Sequence, residues 1–198
     1  ADFWSAAPPM VEDVRDHVVE TAEGAIPVRL YDPASDGRHP IFYFHGGGFV
    51  VGDLDTHDGI ARRLALYSGR PVVSTDYRRA PEHPYPQPLA DCTAVVAAVA
   101  SGRSDLGLDA SRFALAGDSA GASLALGTAL RLARQDLHPA ALALLIGSFD
   151  PAMAGDSYRR YGAGGYGLTA ADVDWFWSQY LGPLRHRPPA DAAALTAD

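Results

Sequence analysis

The segment from Gly117 to Gly121 constrains the fold of this 198-residue chain more than any other, because it has the pattern G-x-S-x-G. The apolar run FALA precedes it, and ASLALGTALRLA, with small and apolar residues at helical spacing, follows it. Glycines two residues either side of a serine let a strand and a helix meet in a sharp turn without side-chain clash. A glycine-rich turn that merely contains a serine is the alternative. The flanking runs favour Ser119 as a nucleophile between a buried strand and a helix.

Short β-type runs alternate with helical runs along the rest of the chain. This order is typical of an α/β fold in which helices flank a mostly parallel sheet. The length suits one well-buried domain, so we assign residues 1–198 to a single domain. The predicted strands cover 26–33, 40–47, 71–77, 112–118 and 141–148.

Two further helices are predicted between these strands, besides the one that follows Ser119. The first places Ile60, Leu64 and Tyr67 on one side and ends at Gly69, a residue suited to closing a helix. The second carries an apolar stripe that includes Cys92, the only cysteine, which we interpret as a buried core thiol. The members of this stripe are Leu89, Cys92, Val95, Val96 and Val99.

The C-terminal part begins with a Gly- and Tyr-rich segment over 155–168, which we expect to be an irregular loop. Thr169 and Asp172 then form a capping-box-like helix start, with aspartate in place of the usual glutamate. The helix behind them is strongly amphipathic and closes at Gly182-Pro183. Its apolar positions are Val173, Phe176, Trp177, Tyr180 and Leu181.

A second glycine-rich segment, from His45 to Gly48, directly follows the β-run PIFYF. Attack by a serine on a carbonyl creates an oxyanion, which needs backbone N–H groups already aimed at it. We expect these donors at Gly47, Gly48 and Ala120, and we expect His45 to hold the loop in shape. A flexible loop and a phosphate cradle are the alternatives. The latter is disfavoured because GK[ST] is absent and the glycines do not open a helix.

Charge and composition exclude several functional classes. The net charge of −8 argues against a nucleic-acid partner, since there is no basic excess to displace counterions from phosphates. No apolar run approaches the roughly 20 residues needed for a membrane span, and no secretion signal is visible, so a cytoplasmic location is expected. No histidine pair has the spacing of a metal site, so no metal is expected.

Three segments resemble the hormone-sensitive-lipase-like esterases, the bacterial carboxylesterase and acetyl esterase group. They are HGGGFVVGDLDTHD, DYRRAPEHPYPQPLAD and GDSAGA, in that order, and the later GYGLTAADVDWFWSQYLG is also similar to this group. The resemblance implies an α/β-hydrolase core in which Ser119 hydrolyses small acyl esters without a cofactor. The motif positions that support this site are His45, Gly46, Gly117, Asp118 and Gly121.

The same resemblance implies a cap over an acyl pocket. Residues 1 to about 20 and about 155–185 are expected to roof the pocket. Phe49 and Trp177 are candidates for its lining, although aromatic residues at helical spacing are also typical of a core.

The chain departs from the family in its other catalytic residues. A serine nucleophile needs a histidine and an acid, which this family carries in H-G-F-type and D-P-L-type loops. Neither motif occurs here, and GSFD replaces the Tyr-Pro common in the family after a late strand. Asp150, at the end of that stretch, is a conceivable substitute acid. We therefore expect an isolated chain to be nearly inactive and its sheet to expose an apolar edge.

Three interpretations remain open at this stage. The chain is part of a normal esterase, or it is completed by a second chain that supplies the late strands and the histidine. A homo-oligomer is the other assembly we consider. In the third interpretation it is a non-catalytic ligand-binding module, like a plant hormone receptor that resembles this family but lacks the histidine.

Overall fold

Six strands form one sheet in the computed structural model, which describes residues 7–34, 37 and 39–196. Their spatial order is β1-β2-β4-β3-β5-β6. The central pairs β4–β3, β3–β5 and β5–β6 are parallel, and β1–β2 and β2–β4 are antiparallel. The predicted α/β fold with a mostly parallel sheet is confirmed. The strands are β1 (Asp13–Thr21), β2 (Gly24–Asp32), β3 (Ile41–Phe44), β4 (Val72–Thr75), β5 (Ala114–Asp118) and β6 (Ala141–Leu145).

The prediction of a cap over residues 1 to about 20 is wrong for residues 13–20. These residues belong to β1, which pairs with β2 from Asp13 opposite Asp32 to Thr21 opposite Gly24. Charged residues interrupted by valines suit an antiparallel edge strand with one face in water, and Val19 is the buried member. Residues 1–6 lie outside the described residues.

Five α-helices of the described chain flank the sheet. Side chains alternate across β3, so Phe42 and Phe44 join the core beneath α2, α3 and α5, whereas Ile41 and Tyr43 join the core beneath α1. The two 3₁₀ turns cover Gly182–His186 and Ala194–Thr196. The helices are α1 (Asp58–Ser68), α2 (Gln87–Ala100), α3 (Ala120–Ala133), α4 (Asp156–Tyr161) and α5 (Ala170–Leu181).

The buried face was predicted correctly for α2 and only in part for α1. In α1 the predicted face is wrong at Tyr67, which is 86% exposed, while Ala61 and Ala65 are buried. Small alanines let this helix approach the sheet closely, so burial follows them rather than the larger side chains. The predicted stripe of α2 is confirmed. Its Cys92 is fully buried, and burial raises the pKa of that thiol.

The segment 155–168 is not wholly irregular as predicted, because α4 lies within it. Gly155 is extended at the N-cap, and Asp156 lies in the first turn, where the helix dipole favours a carboxylate. The capping box of α5 is confirmed. The Thr169 hydroxyl accepts the Asp172 N–H at 3.1 Å, and the Asp172 carboxylate accepts the Thr169 N–H at 2.8 Å.

The β6 edge of the sheet is apolar and exposed. Among the described strands β6 pairs only with β5, and Leu145 and the following Ile146 are 54% and 85% exposed. The apolar edge expected from the sequence is therefore present at β6.

In the part of the chain that the structure describes, no helix combines the length and apolarity that a bilayer crossing requires.

Candidate active site

Ser119 occupies a sharp turn between β5 and α3. Its backbone has φ 52° and ψ −119°, a positive φ that a non-glycine residue rarely adopts. Its N–H donates to the carbonyl of Leu145 at 2.8 Å, which ties the turn to the end of β6. The end of the neighbouring strand β6 thus supports the strained backbone of this turn.

The two flanking glycines are required by the close approach of strand and helix. A Cβ on Gly117 would lie 2.3 Å from the carbonyl of Gly121, and a Cβ on Gly121 would lie 2.0 Å from the carbonyl oxygen of Phe44. Neither contact leaves space for a side chain. The steric argument made from the G-x-S-x-G pattern therefore describes this turn.

The loop after β3 folds back toward the same turn. Gly47 and Gly48 have φ values of 118° and 61°, and the Gly47 carbonyl accepts the N–H groups of Val50 and Val51. The N–H groups of Gly47, Gly48 and Ala120 donate to no acceptor within the described ranges. Gly48 and Ala120 line one cavity together with Ser119, and Gly47 lies in the adjoining turn. The unengaged amides of Gly48 and Ala120 thus belong to residues of the cavity wall, and the amide of Gly47 belongs to the adjoining turn.

Asp118 joins the loop to the serine turn. Its Oδ1 accepts the Tyr43 hydroxyl at 2.5 Å and the Gly46 N–H at 3.1 Å. Burial and the neighbouring Asp118 carboxylate raise the pKa of Tyr43 well above its usual range, so this hydroxyl remains a donor. His57 Nε2 lies 3.8 Å from Asp118 Oδ2. Sequence reasoning missed this role of Asp118, because its partners lie more than seventy residues away along the chain.

His45 is a structural residue of the loop. It is fully buried, and its Nδ1 lies 2.7 Å from the carbonyl oxygen of Gly46. The ring stacks on Tyr77 at 4.3 Å, and the Tyr77 hydroxyl donates to the His45 carbonyl at 2.7 Å. Burial lowers the pKa of His45 to about 4, so the imidazole is neutral near pH 7. These contacts support the expectation that His45 shapes the loop.

The cavity beside Ser119 has a volume of about 180 Å³ and is mostly apolar. Phe49 and Trp177 both line it, and their rings lie 5.1 Å apart. Each is also buried to 1% exposure, so both belong to the core as well as to the lining. The segment 155–185 supplies four further lining residues, which are Tyr158, Leu168, Val173 and Phe176.

Asp150, the candidate substitute acid, lies in the turn after β6. The Asp150 carboxylate accepts the N–H groups of Ala152 and Ala154 at 2.8 and 2.9 Å, so it organises the turn after β6. Within the described ranges, no cluster of three or more His, Cys, Asp or Glu side chains is arranged to hold a metal ion.

The sequence of the chain is similar to those of known hydrolases. The sequence profile of the alpha/beta hydrolase fold matches residues 41–197. The chain is 37% identical over 182 residues to the acetyl esterase of Salmonella paratyphi B and 36% identical over 181 residues to that of Salmonella choleraesuis. Each alignment covers 90% of this chain and 56% of the relative. The chain thus spans just over half the length of these curated relatives.

Solved structures give a consistent result. An esterase from the archaeon Pyrobaculum calidifontis superimposes with a TM-score of 0.89 at 34% identity, covering 96% of this chain and 63% of that one. A thermostable carboxylesterase cloned from a metagenomic library superimposes with a TM-score of 0.88 at 33% identity, covering 98% and 67%. The family resemblance and the fold predicted from the sequence are confirmed.

Proposed function

This chain belongs to the alpha/beta hydrolase fold family, and we propose that it carries the nucleophile, oxyanion hole and acyl cavity of a serine carboxylesterase for short-chain acyl esters. The observation that carries the proposal is that Ser119 shares one cavity with the unengaged amides of Gly48 and Ala120. The small apolar cavity and the acetyl esterases among its relatives support a short acyl group as the substrate.

In the proposed reaction, the Ser119 hydroxyl attacks the ester carbonyl carbon and the carbonyl oxygen becomes an oxyanion. The N–H groups of Gly47, Gly48 and Ala120 stabilise that charge, each by about 2.7–4 kcal/mol in the transition state. Ala120 also begins α3, whose dipole favours an anion at its N-terminus. Collapse of this intermediate expels the alcohol and leaves an acyl-enzyme at Ser119.

The proton of Ser119 needs a base, and we place that base outside these 198 residues. No histidine is among the described residues that line the cavity with Ser119, His45 is buried, neutral and held by the loop, and Asp150 is engaged by its own turn. A histidine and its acid would come from further residues of a longer protein, from a completing chain or from another copy. The roof over the acyl group would consist of segment 155–185.

The proposal is tested by labelling with a fluorophosphonate probe and by hydrolysis of p-nitrophenyl acetate and butyrate. We expect slow labelling at Ser119, acceleration by added imidazole as an external base, and no labelling of Ser119→Ala. Ser157→Ala, which removes an exposed hydroxyl from α4, is the matched control and should label as the unaltered chain does.

Two results would contradict the proposal. One is labelling that persists in Ser119→Ala, which would place the reactive group elsewhere. The other is saturable binding of a small ester with no labelling even in imidazole, which would favour a non-catalytic binding module.

A further inference from the structure

A side-chain hydrogen bond joins α5 to the segment after β6, beside the cavity. The indole N–H of the buried Trp177 donates to Ser148 Oγ at 3.1 Å. Ser148 follows β6, and its carbonyl accepts the hydroxyl of Ser123 on α3. Ser148 therefore connects the roof helix to the helix that begins directly after Ser119.

At the C-terminal end of α5, the Tyr180 carbonyl accepts the Tyr85 N–H at 2.8 Å, and nearer the cavity aromatic rings make the other contacts. A Cβ on Gly48 would lie 2.2 Å from the Phe176 ring, so this ring packs directly on the loop that follows β3. The ring of Tyr180 stacks on Phe49 with centroids 3.9 Å apart and planes 6° from parallel. Ser148, Phe176 and Trp177 all line the cavity that contains Ser119.

The two kinds of contact constrain the helix differently. Ring packing tolerates some sliding, whereas a hydrogen bond requires a narrow distance and direction. A buried indole N–H that loses its acceptor favours any shift that returns it to a partner or to water. Loss of the Ser148 hydroxyl would therefore let Trp177 and the neighbouring Phe176 move away from the cavity.

We propose that the Ser148–Trp177 hydrogen bond is a latch that fixes the roof of the cavity and so sets its selectivity for acyl chain length. Ser148 and Trp177 are positioning residues in this account. The inference rests on the proposed function, because it takes the cavity beside Ser119 as the acyl site. With the latch in place the cavity keeps its volume of about 180 Å³, and without it longer chains gain access.

The test measures the binding of butyramide and hexanamide, uncharged amides that stand in for acyl groups of two lengths. Dissociation constants are obtained from NMR titrations that follow the backbone amides of Gly48 and Ala120. Ser148→Ala removes the acceptor, and Trp177→Phe removes the donor while keeping an aromatic ring. We expect each to shift the ratio of the two constants toward hexanamide by about fivefold.

The double variant and a control separate the latch from general loosening. Ser148→Ala combined with Trp177→Phe should shift the ratio no further than either change alone, since both remove the same bond. Ser178→Ala removes a hydroxyl whose described partners, the Trp175 carbonyl and the Gln179 side-chain amide, both lie within the same helix, and it should leave the ratio unchanged.

Hydrogen exchange provides a second measurement if a variant loosens the fold. In Ser148→Ala the amides of 173–177 should exchange about fivefold faster while those of β5 keep their rates. Uniformly faster exchange with an unchanged binding ratio would overturn the latch. An unchanged ratio with binding intact would overturn the latch and leave the proposed function standing. If neither amide perturbs Gly48 or Ala120 in the unaltered chain, the acyl-site assignment itself fails.

Discussion

Single residues decide whether the turn at Ser119 can exist. Ser119 holds a positive φ, and the helix behind it lies so close to β3 that a Cβ on Gly121 would be 2.0 Å from the Phe44 carbonyl oxygen. The Ser119 N–H and the Asp118 carboxylate fasten this turn to β6, to β3 and to the loop after β3. The geometry of the turn is therefore set by backbone packing more than by the serine itself.

Gly121→Ala should lower the free energy of unfolding by about 3 kcal/mol, because the added methyl group meets rigid backbone rather than a flexible side chain. Guanidinium unfolding measures the change. Gly59→Ala is the control, since its Cβ would meet only the end of the Arg63 side chain at 3.0 Å. Equal stability of the two variants, within about 0.5 kcal/mol, would show that the strand and helix are not packed as described.

Burial of His45 should make the free energy of unfolding depend on pH. The pKa of His45 is about 4 in the folded chain and about 6.5 when unfolded, because burial penalises the charged ring. As pH falls from about 6.5 toward 4, His45 takes up a proton in the unfolded chain but stays unprotonated in the folded chain. The free energy of unfolding should therefore fall by about 3 kcal/mol over that window, and above it the contribution is fully retained.

His45→Asn should lack this contribution. The stability difference between the unaltered chain and the variant should narrow as urea unfolding is moved from about pH 7 to about pH 4.5. His138→Asn, at an exposed histidine, controls for removal of an imidazole from the surface. A difference that stays constant with pH would mean that His45 is not buried in its neutral form.

At the scale of elements, α5 is the helix on which the cavity depends. Its capping box satisfies the first N–H groups of the helix, and the adjoining Leu168 and Val173 line the cavity. Thr169→Ala should lower the free energy of unfolding by about 1 kcal/mol and speed hydrogen exchange in the first turn of α5. Ser157→Ala serves as the control. Unchanged exchange in that turn would contradict the importance of the cap.

Elements with a strong local pattern could be predicted from the sequence, and elements set by long-range packing could not. The stripe of α2 and the capping box of α5 follow from spacing within one helix, and both are confirmed. The buried face of α1 depends on how closely Ala61 and Ala65 let the helix approach the sheet, which spacing does not reveal. The edge strand β1 was missed because its polar sequence gives only a weak alternation.

In the candidate site, too, local features could be predicted from the sequence and long-range contacts could not. The positions of Ser119, Gly47 and Gly48 follow from glycine sterics that are visible in two short motifs. The contacts of Asp118 with Tyr43 and of Ser148 with Trp177 join residues 75 and 29 positions apart, and no local pattern signals them. The glycine motifs therefore predict where the backbone turns tightly, and they leave unpredicted the side-chain contacts between distant segments.

At the scale of the whole molecule, the exposed β6 edge is the feature most open to intermolecular contact. An edge strand with apolar, unpaired residues is a template for pairing with another chain. We expect concentration-dependent association in sedimentation velocity, reduced by Leu145→Lys. Leu66→Lys, which places the same charge at a partly exposed leucine of α1, should leave association unchanged. A chain that stays monomeric throughout, or two variants that behave alike, would contradict this expectation.

The most direct test of the site is a crystal structure of the chain with Ser119 phosphonylated, since the phosphoryl oxygen occupies the place of the oxyanion. The account predicts that this oxygen lies about 2.7–3.1 Å from the backbone nitrogens of Gly47, Gly48 and Ala120. An adduct whose oxygen points to solvent and leaves those amides unengaged would contradict it.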